Sequence, residues 1–177
     1  MSHIQLLDRK FTLLIPSATI QKEVKRVAEQ INKDLAGKNP IFVCVLNGAF
    51  MFAADLLKQI TIPCEVSFVK LSSYAGILST GTVKEVIGLN EDIQGRTIIV
   101  VEDIIDTGLT MQKIIDSLLR FHPAEVKVAS FLLKPDALQV TVPQDYIAIE
   151  IPNKFIVGYG LDYNGFGRNL TDIYTVI

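Results

Sequence analysis

Thr97-Ile98-Ile99-Val100-Val101-Glu102-Asp103-Ile104-Ile105-Asp106-Thr107-Gly108-Leu109-Thr110 is the stretch that decides the fold. The apolar run 97–101 has no polar alternation, the habit of strands covered on both faces in parallel sheets. Behind it, Met111, Ile114, Ile115, Leu118 and Leu119 fall at helical spacing. Three carboxylates and two threonine hydroxyls therefore crowd together where a buried strand gives way to a helix. In open α/β sheets, ligands bind beyond the carboxyl ends of the strands.

Working outward, strands and helices alternate. Upstream, Ile20, Val24, Val27, Ile31 and Leu35 form a helix face, with Ser17 or Thr19 as possible caps and Gly37 as a possible stop. The apolar run Ile41 to Leu46 reads as a strand, followed by Asn47-Gly48 and a helix to about Ile60. Glu65 to Leu71 reads as a strand, 73–82 as a small polar loop and 82–88 as a returning strand. Downstream, Val126 to Leu133 is the next strand. Tyr146 to Ile151, Phe155 to Gly158 and Ile173 to Ile177 read as short strands of a small extra layer, with 158–169 as a Gly/Asn/Asp-rich loop. The expected architecture is α/β, with a mostly parallel central sheet flanked by helices. The expected organisation is one domain over 1–177, with hood elements from about 1–16 and 145–177.

The bulk properties agree and exclude several classes. At 177 residues the chain suits one domain. A chain of this length buries roughly 70% of its unfolded surface, so it needs no disulfide staples. Cys44 and Cys64 form no CxxC pair and read as buried thiols in a reducing compartment. His3 and His122 are isolated, which argues against zinc. Lys plus Arg number 17 against 19 Asp plus Glu, a balance of −2 that offers no basic footprint for nucleic acid. No apolar stretch reaches the roughly 20 residues that span a bilayer, and residues 1–10 do not read as a signal peptide. The expectation is a cytoplasmic protein with no nucleic-acid or membrane partner. GxxxxGK[ST] is absent, which excludes a P-loop, and Gly158-Tyr159-Gly160-Leu161-Asp162 is not GxGxxG.

The chemistry of 102–110 suits a small phosphorylated ligand. A glycine and two threonines before a helix offer backbone N–H groups and hydroxyls to a phosphate, aided by the helix dipole. Glu102 and Asp103 can hold a hard cation or accept hydrogen bonds from sugar hydroxyls. The bland alternative has Asp106 or Thr107 capping the helix, with Glu102 and Asp103 as solvated charges. It explains one acidic residue and not three.

Two acidic residues, two apolar ones and Asp-Thr-Gly-x-Thr after an apolar strand resemble the phosphoribosyl-pyrophosphate signature of the type I phosphoribosyltransferases. The resemblance runs from about Ile41 to the C-terminus. It implies that Asp106, Thr107, Gly108, Leu109 and Thr110 hold the 5′-phosphate, while Glu102 and Asp103 face the ribose hydroxyls and magnesium (Mg2+). Val45 to Phe50, with Asn47 and Gly48, looks like the pyrophosphate loop. Ser72-Ser73-Tyr74 and Ser79-Thr80-Gly81 look like the mobile lid of the hypoxanthine-guanine subfamily. Phe131 to Lys134 looks like the strand end whose lysine reads the purine, and 151–164 like its purine hood, followed by Arg168. Leu109 and Asn47 depart from the pattern, since some relatives carry lysine at the first position and many at the second; both changes remove a cation from an anion site, where backbone donors can substitute. Gly165 and Gly167 make the segment before Arg168 smaller than in many relatives.

The resemblance implies purine salvage: transfer of a 5-phosphoribosyl group from phosphoribosyl pyrophosphate to hypoxanthine or guanine. Asp106 is the implied general base, or else a helix cap. Lys134 would donate to the 6-oxygen, excluding adenine, which places a donor against a donor; alone it reads as a surface lysine. Phe155 would stack on the base and Ile156 present backbone groups to it, or both are core. Asp162 would help hold a second magnesium and the base, and Arg168 would meet pyrophosphate; the plain readings are a turn aspartate and a solvated arginine. The lid, including Ser73 and Tyr74, would exclude water, or is an ordinary hairpin loop. The family implies a homodimer or homotetramer. The alternatives are the same fold acting on xanthine, and a non-catalytic nucleotide-sensing regulator.

Overall fold

The computed structural model describes residues 3–70 and 89–177. The expected lid, with Ser73 and Tyr74, and the returning strand 82–88 lie outside the described residues. The strands are β1 (His3–Leu6), β2 (Arg9–Ile15), β3 (Ile41–Leu46), β4 (Glu65–Lys70), β5 (Thr97–Ile105), β6 (Glu125–Leu133), β7 (Tyr146–Glu150), β8 (Ile156–Val157) and β9 (Ile173–Val176). The helices are α1 (Ser17–Asp34), α2 (Phe50–Leu57) and α3 (Leu109–Leu119), with a 3-10 turn at Pro135–Ala137.

Five strands form a parallel sheet in the order β4-β3-β5-β6-β7. Its central strands are buried on both faces, which is why the sequence runs apolar without alternation. Phe42, Cys44, Ile99, Val101, Ala129 and Phe131 face a core that includes α1 and α2. Ile41, Val43, Val45, Ile98, Val100 and Val128 face the other core, with α3. The chain is therefore an α/β protein of the expected kind. The hood is a separate antiparallel sheet in the order β1-β2-β9-β8.

Several local expectations are corrected. β5 continues through Ile105, so Glu102 and Asp103 belong to the strand and not to a loop after it. β7 pairs parallel with β6 at the edge of the main sheet and is not part of the hood. The N-terminal hood segment is a hairpin of β1 and β2. Neither Ser17 nor Thr19 caps α1. The helix starts at Ser17, and the Asp172 carboxylate accepts from the Ser17 N–H at 2.6 Å. A distant acid thus supplies both the acceptor and the negative charge that a helix N-terminus favours. α2 stops at Leu57 and not near Ile60. Cys44 is buried, and burial pushes its thiol up to about 12, which keeps it protonated. Cys64 is only partly buried. No described helix is long and apolar enough to cross a membrane.

Candidate active site

The carboxyl ends of β3, β5 and β6 meet the hood around a cavity of about 410 Å³. Asn47, Gly48, Glu102, Asp103, Asp106, Thr110, Lys134, Phe155, Ile156, Asp162 and Arg168 all line it. Thr107 and Gly108 line an adjoining cavity of about 250 Å³ together with Glu102, Asp103, Asp106 and Thr110. Leu109 lines neither cavity; its side chain is exposed. Ile104 and Leu161 also line the larger cavity, and Met111 the smaller. As plain apolar residues they carried no signal in the sequence.

The turn after β5 is built for close approach. Gly108 has φ +82 and is the N-cap of α3; a side chain there would be strained and would press on Val140. Its carbonyl accepts from the Gln112 N–H at 2.9 Å, and the Thr107 hydroxyl accepts from the Leu109 N–H at 3.4 Å. Thr107 thus makes one weak local bond and itself opens onto the smaller cavity.

Lys134 is not a surface lysine. It is buried at the end of β6, and its ammonium lies 2.9 Å from Asp106 Oδ2. The Asp106 side chain is about half exposed, at 48%, so the pair is fixed at its lysine end and open at its acidic end. Its geometry rests on two parallel strands held in register at Ile105 and Leu133.

Glu102 and Asp103 are likewise not solvated loop charges. Glu102 is buried. Burial pushes its carboxyl well above the usual carboxylate range, and the neighbouring Asp103 charge pushes the same way. Burial also raises Asp103, against hydrogen bonds from Glu102 and the Ile104 N–H and the attraction of Arg168. Asp103 Oδ1 accepts from the Ile104 N–H at 2.7 Å. Asp162 accepts from the Gly165 N–H at 2.7 Å and pairs with Arg168 at 2.6 Å; Arg168 also donates to the Gly160 carbonyl at 2.6 Å. Among the described residues, no three His, Cys, Asp or Glu side chains converge as a metal cage. Glu102–Asp103 and Asp162 are two separate acidic positions on the cavity wall.

The loop Asn47-Gly48 is pinned between these groups. A side chain at Gly48 would collide with the Asp103 carboxylate, and one at Gly160 with the Gly48 carbonyl oxygen. Gly160 has φ +99, so it meets two demands that only glycine satisfies. The preceding Tyr159 is buried; its ring lies 4.7 Å from that of Phe131, and its hydroxyl donates to Asp55 on α2 at 2.8 Å. Tyr159 and Asp55 were not foreseen, because an aromatic and a helix-surface acid far apart in sequence give no shared motif.

Against this geometry, a family model described as the phosphoribosyl transferase domain matches residues 16–164. The chain belongs to the phosphoribosyltransferase family. Within that family it is 40% identical over 174 residues to a hypoxanthine-guanine phosphoribosyltransferase of Aquifex aeolicus, covering 97% of this chain and 98% of that protein. It is 39% identical to the human protein so named, over 96% of this chain and 81% of that one. Among solved structures, a Staphylococcus aureus hypoxanthine phosphoribosyltransferase superposes with a TM-score of 0.86 at 34% identity, covering 94% and 91% of the two chains. A Bacillus anthracis hypoxanthine-guanine phosphoribosyltransferase gives 0.82 at 37% identity, over 94% and 96%. The cavity described above lies largely within the matched residues; of its lining residues only Arg168 falls beyond them.

Proposed function

We propose that this chain is a purine-salvage enzyme that transfers the 5-phosphoribosyl group of phosphoribosyl pyrophosphate to hypoxanthine or guanine, giving IMP or GMP and pyrophosphate. The observation that carries the reading is the buried Lys134 held 2.9 Å from Asp106 at the mouth of the phosphate turn. One group donates and the other accepts, side by side, as a 6-oxopurine requires at its oxygen and at its ring proton.

In the proposed reaction, a purine ring nitrogen bonds to the anomeric carbon as the carbon–oxygen bond to pyrophosphate breaks. Asp106 accepts the ring proton, which restores electron density to the attacking nitrogen, and Lys134 donates to the 6-oxygen. Thr107, Gly108, Leu109 and Thr110 cradle the 5′-phosphate through hydroxyls and backbone N–H groups. Phe155 stacks on the base, Ile156 presents backbone groups to its edge, and Asn47, Gly48 and Arg168 meet pyrophosphate. Residues Ser73 and Tyr74 remain the proposed lid.

The donor set fits magnesium. The cavity wall carries four carboxylates, Glu102, Asp103, Asp106 and Asp162, against two cations, Lys134 and Arg168. Both cations are already paired, with Asp106 and Asp162. Glu102 and Asp103 would hold one magnesium through the ribose hydroxyls, and Asp162 would help hold a second; this ion keeps most of its shell as water and substrate oxygens. When bound, it would neutralise the charge that collects on the leaving pyrophosphate.

The same reading takes the chain as one phosphoribosyltransferase domain with hood elements at its two ends, working in the cytoplasm as a homodimer or homotetramer. Neither a xanthine preference nor a nucleotide-sensing regulator is favoured. The relatives carry hypoxanthine-guanine names, and the pairing of acceptor with donor is complete. Asp106→Asn tests the reading: turnover should fall by roughly 10²–10⁴, with IMP affinity changed little by comparison. An unimpaired variant would sink it.

A further inference from the structure

Phe155 is 42% exposed and lines the cavity, so its ring presents a face to solvent where a base would lie. The adjoining strand β8 is only two residues long. The support comes from the two ends of the chain. Phe11 of β2 lies 6.4 Å from it, centroid to centroid, and Tyr163 meets it edge-on at 5.8 Å and 84°. Tyr163 is itself held by its hydroxyl, which donates to Asp8 at 2.9 Å.

Arg9 closes this group. Its guanidinium carbon is 5.0 Å from the Tyr163 centroid and 5.7 Å from that of Phe155, both within cation–π range. Among the described residues, Arg9 pairs with no carboxylate. It does not line the cavity, so any effect on the base passes through the rings.

We propose that Arg9 is a positioning residue for purine binding: its guanidinium, shared between the Phe155 and Tyr163 rings, locks the ring on which the base stacks. This rests on the reading of Phe155 as the stacking surface. It gives the N-terminal hairpin a part in substrate recognition, because Asp8 and Arg9 act from its turn and the start of β2. An unrestrained ring would have to be ordered again each time a purine binds, so loss of the lock weakens purine binding and leaves the chemical step alone.

The test is steady-state kinetics of Arg9→Ala, Arg9→Lys, Phe155→Leu and the double variant Arg9→Ala/Phe155→Leu, with purine and phosphoribosyl pyrophosphate varied separately. Arg9→Ala should raise the purine KM by about 2–5-fold, the exposed-site strength of a cation–π contact expressed as a ratio, with kcat and the phosphoribosyl-pyrophosphate KM unchanged. Arg9→Lys should recover most of the loss, and Arg9→Ala should add almost nothing once Phe155 is leucine. An unchanged purine KM overturns the proposal. So does an equal penalty in the Phe155→Leu background, or a rise in both KM values together with a lower melting temperature. Absence of turnover with any purine by the unaltered chain is a different failure, which removes the enzymatic reading and this proposal with it.

Discussion

Lys134 and Asp106 illustrate how little of a residue's role is visible from its identity. A lysine before a proline reads as a surface group, yet here it is buried and paired across two strands. A hydrogen bond to a charged group contributes about 1.5–3 kcal/mol, so Lys134→Gln should cost roughly 10–100-fold in kcat/KM for hypoxanthine. It should also narrow the margin over adenine, because glutamine can accept as well as donate. Competition kinetics with the two bases reads both effects, and an unchanged preference would mean that the lysine does not read the 6-position. Asn47 and Leu109 make the complementary point. Neither brings a cation to the anion sites, and the arginine that reaches the cavity is already paired with Asp162. In the proposed reaction, neutralising pyrophosphate would therefore fall to backbone N–H groups and to magnesium.

Among the elements, the turn 158–161 is held in place by a contact that reaches across the fold. Tyr159 sends its hydroxyl to Asp55 on α2, which also accepts from Gln21 of α1 at 2.6 Å and pairs with Lys58 at 3.0 Å. Burial pushes the Asp55 carboxyl up, but these hydrogen bonds and the Lys58 charge outweigh it and leave the group below its ordinary value. A carboxyl whose folded pKa is lowered contributes stability above its unfolded value, near 3.9, and loses it as pH falls through the folded one. Thermal melts from pH 7 down to pH 3 should show Asp55→Asn less stable at neutral pH, with the gap closing in acid. A gap that stays constant would remove ionised Asp55 as the anchor. The main-sheet elements were legible because continuous apolar runs announce buried strands. β1 and β2 were not: β1 alternates over only four residues, too short a run to stand out, and β2, buried chiefly at Phe11 and Ile15, does not alternate cleanly. β7 was assigned to the hood because length and composition do not tell a short strand which neighbour it will pair with.

For the molecule as a whole, one end of a parallel sheet is covered by a hood drawn from both ends of the chain, and the cavity lies where they meet. The acidic motif marked the sheet side of that cavity plainly, since three carboxylates in five residues have few structural excuses. The hood side was legible only through resemblance: Phe155, Ile156 and Asp162 carry no local pattern that separates a binding wall from an ordinary core. The supporting contacts, Arg9 beneath Phe155 and Asp55 beneath Tyr159, join residues more than a hundred positions apart and could be seen only after folding. The proposed reaction is measured most directly by product formation from phosphoribosyl pyrophosphate with hypoxanthine, guanine, xanthine, adenine and uracil in parallel, each with magnesium and with excess chelator. It predicts magnesium-dependent IMP and GMP formation, with adenine and uracil inert and xanthine at most a poor substrate; turnover of adenine or uracil, or of no base at all, would contradict it.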